Sequence, residues 1–233
     1  MNFFKHKLDI SKARLLSKTI VFKEATLADE FTDPLKKYQA HYYSLDSFRP
    51  IANKLLLKSF LKSSVIENPN NTELHKEFIC NDMTITYDAL ASKLDFEHKA
   101  PEDENQIVEI AKGIIDFARL VPSINQVGIA YEMFLEEDIN IKNYFLKDSL
   151  KEEFTTLSID LKYELDENTD IILTIATATD DYNKKGIYFK AHFHSEITGE
   201  NSLSVILNKK FREIANKKIN FILRDIKIIN NFA

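Results

Sequence analysis

From Leu157 to Ser195 apolar and polar side chains alternate in three runs, separated by turn-forming residues. A period of two puts successive side chains on opposite faces of a strand. The runs Leu157 to Leu165, Ile171 to Thr179 and Ile187 to Ser195 therefore predict a three-stranded antiparallel meander. Setting Leu165 opposite Ile171, and Thr179 opposite Ile187, puts Tyr163, Leu173 and Phe193 in one row. Leu161, Ile175 and Ala191 form a second row, and Ile159, Thr177 and Phe189 a third. Every residue on that face is apolar or threonine. A slip of one residue would turn Leu161, Tyr163 and Phe193 toward water, so the choice of face is strongly specified.

The rest of the chain alternates between strand and helix patterns. Lys18 to Leu27 is rich in β-branched residues and predicts a first strand. Asp33-Pro34 is a helix start, followed by the stripe Phe31, Leu35, Tyr38, Tyr42 and Leu45. Pro50 opens a second helix through about Ser63, and 67–72 is a loop. Glu77 to Cys80 and Met83 to Tyr87 flank Asn81-Asp82 as a tight hairpin, and a third strand is expected near Ser92 to His98. Pro101 begins a helix with acids Asp103 and Glu104 in its first turn. Its buried stripe is Ile107, Ile110, Ala111, Ile114, Ile115 and Ala118, and Pro122 stops it. Gln126 to Leu135 is apolar on both faces, as in a strand well inside a sheet. A short helix is expected at about Asn140 to Ser149. After the meander, Ser202 caps a long final helix to about Ile229, whose Leu207, Phe211, Ile214, Ile222, Ile226 and Ile229 would cover the inward face.

The order β-α-β-β-β-α is thus predicted twice, over 18–122 and 125–230, with no residue-level repeat beneath it. The expected fold class is α+β. A largely antiparallel sheet carries helices mainly on one face and a long C-terminal helix, in one domain over residues 1–233.

Composition adds boundaries. The chain has 233 residues, four glycines and five prolines, too few for low-complexity linkers. The lone Cys80 cannot form an internal disulfide, and no run reaches the ~20 apolar residues of a membrane helix. The charged N-terminal stretch does not read as a secretory signal. The expectation is a cytoplasmic protein without a membrane segment, and the Ile, Lys, Asn and Phe content suggests a prokaryotic or phage source. The net charge of −5 is unevenly spread: Met1 to Lys23 and Leu203 to Ala233 each carry +5, leaving −15 between them. Basic ends on an acidic body suit contacts with the body itself, a second copy or a polyanion.

The sharpest constellation is His192-x-His194-x-Glu196, three side chains on one face of the last strand. Histidines at i and i+2 lie roughly 7 Å apart, near enough to share a metal, whereas Glu196 is roughly 13 Å from His192. In the register above Thr174 lies beside His192 and Ile172 beside His194, so a third ligand would have to come from a loop or a helix end. His192 and His194 are therefore minor metal candidates, and a mixed polar face is the simpler reading. That face, with Lys162, Glu164, Thr174, Tyr188, Lys190, His192 and His194, is the candidate binding surface. Acidic clusters such as Glu136-Glu137-Asp138 fall at turns and helix starts. The isolated glycines build no phosphate loop, no serine has a nucleophile-elbow context, and no cofactor is expected. Cys80 reads as a small core residue.

These features favour a non-enzymatic binding or interaction protein, an accessory subunit or self-associating module, with a protein partner or its own copy. The alternative is a small-molecule-binding or metal-dependent enzyme with a site between the halves. A further alternative is a nucleic-acid accessory protein gripping strands through Lys5, Lys7, Lys12, Arg14 and Lys18 beside Phe3 and Phe4.

Overall fold

The structure is a computed structural model. It describes residues 10–24, 32–36, 48–117, 124–136, 141–142, 146, 150, 157–180, 182–199 and 202–230, with side chains to 222 in the last segment. The fold is α+β: a large antiparallel sheet, a few helices and a C-terminal helix. The strands are β1 (Arg14–Glu24), β2 (Ile66–Glu67), β3 (His75–Cys80), β4 (Met83–Asp88), β5 (Lys93–Lys99), β6 (Ile124–Leu135), β7 (Ser158–Asp166), β8 (Thr169–Thr179) and β9 (Lys185–Glu196). The helices described over their full span are α1 (Lys54–Leu61), α2 (Gln106–Phe117), α3 (Leu203–Asn208) and α4 (Phe211–Asn230).

Local chemistry sets several boundaries. Asn53 Oδ1 accepts from the backbone N–H groups of Leu55 and Leu56 and so caps α1, a few residues past the start expected at Pro50. Pro50 lies instead in a 3-10 turn, Arg49–Ile51. Asp33 Oδ1 accepts from the Leu35 N–H at the expected helix start. The rest of that stripe, and the helix expected at Asn140 to Ser149, lie almost wholly outside the described residues. Asp103 and Glu104 precede α2 rather than opening it; Asp103 Oδ1 accepts from the Asn105 N–H. The final helix is broken. Lys209 is extended (φ −66°, ψ 139°), separating α3 from α4, and Ser202 makes no side-chain cap.

The strands join in the order β2-β3-β4-β5-β1-β6-β9-β8-β7, each pair antiparallel. Strands β1 and β6 meet at the centre. Inward rows of Ile20 and Phe22, Phe96, Ile85, Phe78, Ile129, Phe193 and Leu173 form one apolar cluster with the buried stripes of α2 (Ile107, Ala111, Ile114, Ile115) and α4 (Phe211, Ala215, Ile219, Ile222). Phe211 stacks on Phe193 with ring centroids 4.4 Å apart, which seats the start of α4 on β9.

The meander has the expected faces but not the expected rows. Leu161, Leu173 and Ala191 share one row, Tyr163, Ile171 and Phe193 a second, and Ile159, Ile175 and Phe189 a third. Both hairpins are displaced by two residues because both turns are tighter than the alternation implies. Asp166 pairs with Thr169 across Glu167-Asn168, after a bulge at Leu165, and Asp166 Oδ1 accepts from the Asn168 N–H. At the other turn Asp180 Oδ1 accepts from the N–H groups of Tyr182 and Lys184, with Asn183 left-handed at φ 59°.

Candidate contact surface on the outward face

The side chains that alternate with the inward rows form a second face, on which two rows run across seven strands. One row is Thr86, Asp95, Val21, Gly128, His194, Asp170 and Glu164. The other is Thr84, Glu97, Thr19, Ala130, His192, Ile172 and Lys162. Ile172, not Thr174, therefore lies beside His192, and Asp170, not Ile172, lies beside His194. The floor over β1 and β6 is made of small residues, with acids on the β5 side and imidazoles on the β9 side.

Each candidate residue has a definite setting. Lys190 Nζ donates to Glu132 Oε1 at 2.9 Å across β9 and β6. Tyr188 lies near the same carboxylate; burial, reinforced by Glu132, pushes its phenol well above the ordinary range. Thr174 Oγ1 donates to Asp160 Oδ1 at 2.6 Å. Lys162 pairs with Asp170 at 2.8 Å, and this hydrogen bond and charge raise its pKa. Glu164 sits opposite Asp170 at the end of the row.

The two histidines differ. The rings of His192 and His194 are 6.4 Å apart and nearly perpendicular. His192 leans across β6: its Nε2 is 3.1 Å from where a Cβ on Gly128 would stand, so glycine makes room for the ring. Burial lowers the His192 pKa below 6.5, and His194 and Lys190 lower it further. His194 is exposed. Among the described residues no three His, Cys, Asp or Glu side chains are arranged to hold a metal ion. The carboxylate directly opposite His194 on β8, that of Asp170, is engaged by Lys162.

Asp170, Glu132, Gly128 and Asp95 escaped the reading of the sequence. The turn from Asp180 to Lys184 was the available signal for Asp170, since closing the β8–β9 hairpin at Thr179 and Lys185 moves it beside His194. Asp95 has one oxygen held by Lys93 at 2.8 Å, while Oδ1 is buried with no partner among the described residues. Burial raises its pKa above 3.8, with Lys93 opposing.

Elsewhere, a cleft of about 250 Å³ lies between the end of α1, the β3–β4 turn and the start of α2. Ser63, Cys80, Asp82, His98 and Gln106 line it, and Cys80 Sγ is 2.8 Å from Ser63 Oγ. Among the described residues no helix is long and apolar enough to cross a membrane. No protein-family model matches the chain, and no curated protein sequence matches it.

Proposed function

We propose that this chain is a non-enzymatic binding protein, an accessory subunit or self-associating module. Its contact surface is the outward face bearing Lys162, Glu164, Thr174, Tyr188, Lys190, His192 and His194. The observation that carries this reading is Ile172, a large apolar side chain 41% exposed in the middle of that face. Around it lie His192, Lys162, Asp170 and Thr174. An apolar centre within a polar rim is the anatomy of a protein interface. The neighbouring charges are already paired within the sheet, by Lys190 with Glu132 and Lys162 with Asp170, so a partner need not neutralise them.

The test compares wild-type protein with Ile172→Asp as immobilised bait in a native extract. A partner retained by wild type and lost by a folded Ile172→Asp variant is the expected result. Equal retention by both, or no partner and a strict monomer, overturns the reading.

We read the chain as one cytoplasmic α+β domain with two halves of like element order. Support comes from the sheet order, in which central β1 and β6 are each flanked by the last strand of the meander that follows them. Unfolding monitored by two probes should then give coincident transitions; separated transitions would divide the chain. The cleft lined by Cys80 and His98 favours a second reading, small-molecule binding. A screen in which no small molecule raises the melting temperature of wild type more than that of His98→Ala would remove it.

A further inference from the structure

The two edges of the sheet are unlike. At one, β2 is two residues long. At the other, β7 runs for nine residues, and no described strand pairs with its outer side. Such an edge presents a row of backbone donors and acceptors ready for another strand. It also leaves apolar surface unfinished. Leu161 and Tyr163 on its inward face are only half-buried, whereas Ile171, Leu173 and Ile175 on the next strand are fully buried. The strand pairs regularly from Ser158 to Glu164 and bulges at Leu165.

We propose that β7 pairs antiparallel with β7 of a second copy, about a two-fold axis at Leu161, so that one sheet runs through a dimer. This rests on the reading of the chain as an interaction module, and it names the partner. The outward charges Asp160, Lys162 and Glu164 decide the register. With Leu161 opposite itself, Asp160 faces Lys162 of the second copy twice, and Ser158 faces Glu164 twice. Moving the axis to Lys162 sets Lys162 against itself and Asp160 against Glu164. Moving it to Asp160 sets Asp160 against itself, and moving it to Tyr163 sets Asp160 against Asp166. A shift that brings odd positions opposite even ones would face inward side chains with outward ones. Charged edge strands ordinarily deter pairing; here the signs alternate so that, among registers that pair five or more residues of β7, the one without like-charge opposition is centred on Leu161.

The polar groups have capacity for this. The Lys162 side chain is 65% exposed beside Asp170, and its ammonium carries three donors, enough for Asp170 and a second carboxylate. Asp160 uses Oδ1 for the Thr174 hydroxyl and has a second oxygen.

Sedimentation equilibrium of the full chain tests the pairing. Wild type should dimerise. Asp160→Lys alone and Lys162→Asp alone each place like charges opposite one another twice, and should weaken the dimer by roughly tenfold or more. The double variant Asp160→Lys/Lys162→Asp restores opposite charges and should regain it. Cross-linking gives a readout independent of these charges. Directly opposed strand residues have Cα atoms within disulfide reach, so Leu161→Cys should link to itself on mild oxidation and Tyr163→Cys should not. A wild-type dimer indifferent to both reversals, or equal linking at both positions, overturns the edge pairing and leaves the interaction reading standing. A monomer at every concentration also overturns the pairing, and the Ile172 experiment alone then decides the broader reading.

Discussion

Strands β5 and β9 occupy like places on either side of the central β1–β6 pair, yet they present opposite chemistry. Each sends a fully buried phenylalanine inward: Phe96 from β5, packed edge-to-face on Phe22 at 5.9 Å, and Phe193 from β9, stacked on Phe211 at 4.4 Å. Outward, β5 carries Asp95 and Glu97, and β9 carries His192 and His194. The inward side is governed by volume and hydrophobicity, which both strands meet with the same residue type. The outward side is under no such constraint, and there the two strands carry opposite kinds of charge.

The largest effects should therefore be those the two strands share. Phe96→Ala and Phe193→Ala each remove a buried ring and should cost about 3–5 kcal/mol, measured by denaturant unfolding. They should differ in one respect. Phe193 also holds Phe211, so its loss should raise amide exchange through the first turns of α4, whereas Phe96→Ala should leave α4 protected. Equal exchange in α4 for both variants would mean that the stacked pair does not seat the helix.

Glycines sharpen the contrast at a smaller scale. At Gly186 a Cβ would collide with the Leu135 carbonyl and lie 2.5 Å from Phe134 Cζ, so β6 and β9 would have to part. Gly186→Ala should cost about 1–3 kcal/mol. At Gly128 the obstacle is the His192 ring at 3.1 Å, and a side chain can swing aside. Gly128→Ala should cost less than Gly186→Ala and move the His192 pKa back toward 6.5, which an NMR titration of the imidazole would detect. Equal losses would mean that the His192 ring is held as firmly as the Leu135 backbone.

The same logic explains which parts of the fold were legible beforehand. Alternation from Leu157 to Ser195 assigns each residue to a face, because a one-residue slip reverses the pattern. A two-residue slip does not: Tyr163 stays inward whether it meets Leu173 or Ile171. Face was therefore readable and row was not, and only the turn chemistry at Asp166 to Thr169 and Asp180 to Lys184 carried the row. That degeneracy hid Asp170 from His194 and placed Thr174 against the wrong partner. The buried stripe of α2 was legible from its spacing, and the hairpin at Asn81-Asp82 from its turn pair. The break at Lys209 was not, because Leu207 and Phe211 keep a helical spacing across it. The Lys209 side chain does bind Asp166 at the β7–β8 turn, a long-range contact that local pattern cannot announce.

The smallest expected effects are those of pH, and they break the comparison most cleanly because burial acts on opposite charges. Burial lowers the His192 pKa below 6.5, aided by His194 and Lys190. Between that lowered value and 6.5 the unfolded chain holds a proton the folded chain lacks. The contribution of His192 is then fully present above pH 6.5 and is lost as pH falls through this window. Burial raises the Asp95 pKa above 3.8, against the pull of Lys93 and His75 and with the push of Asp88. Between 3.8 and the raised value the folded chain holds the extra proton. The contribution of Asp95 is then present below 3.8 and declines as pH rises through its window. His192→Gln should flatten the loss of stability on the acid side. Asp95→Asn should remove the decline with rising pH and leave the protein somewhat more stable than wild type at neutrality. Denaturation midpoints across about pH 4–8 would separate the two slopes. Slopes of the same sign in the two variants would show that burial is not what distinguishes the outward faces of β5 and β9.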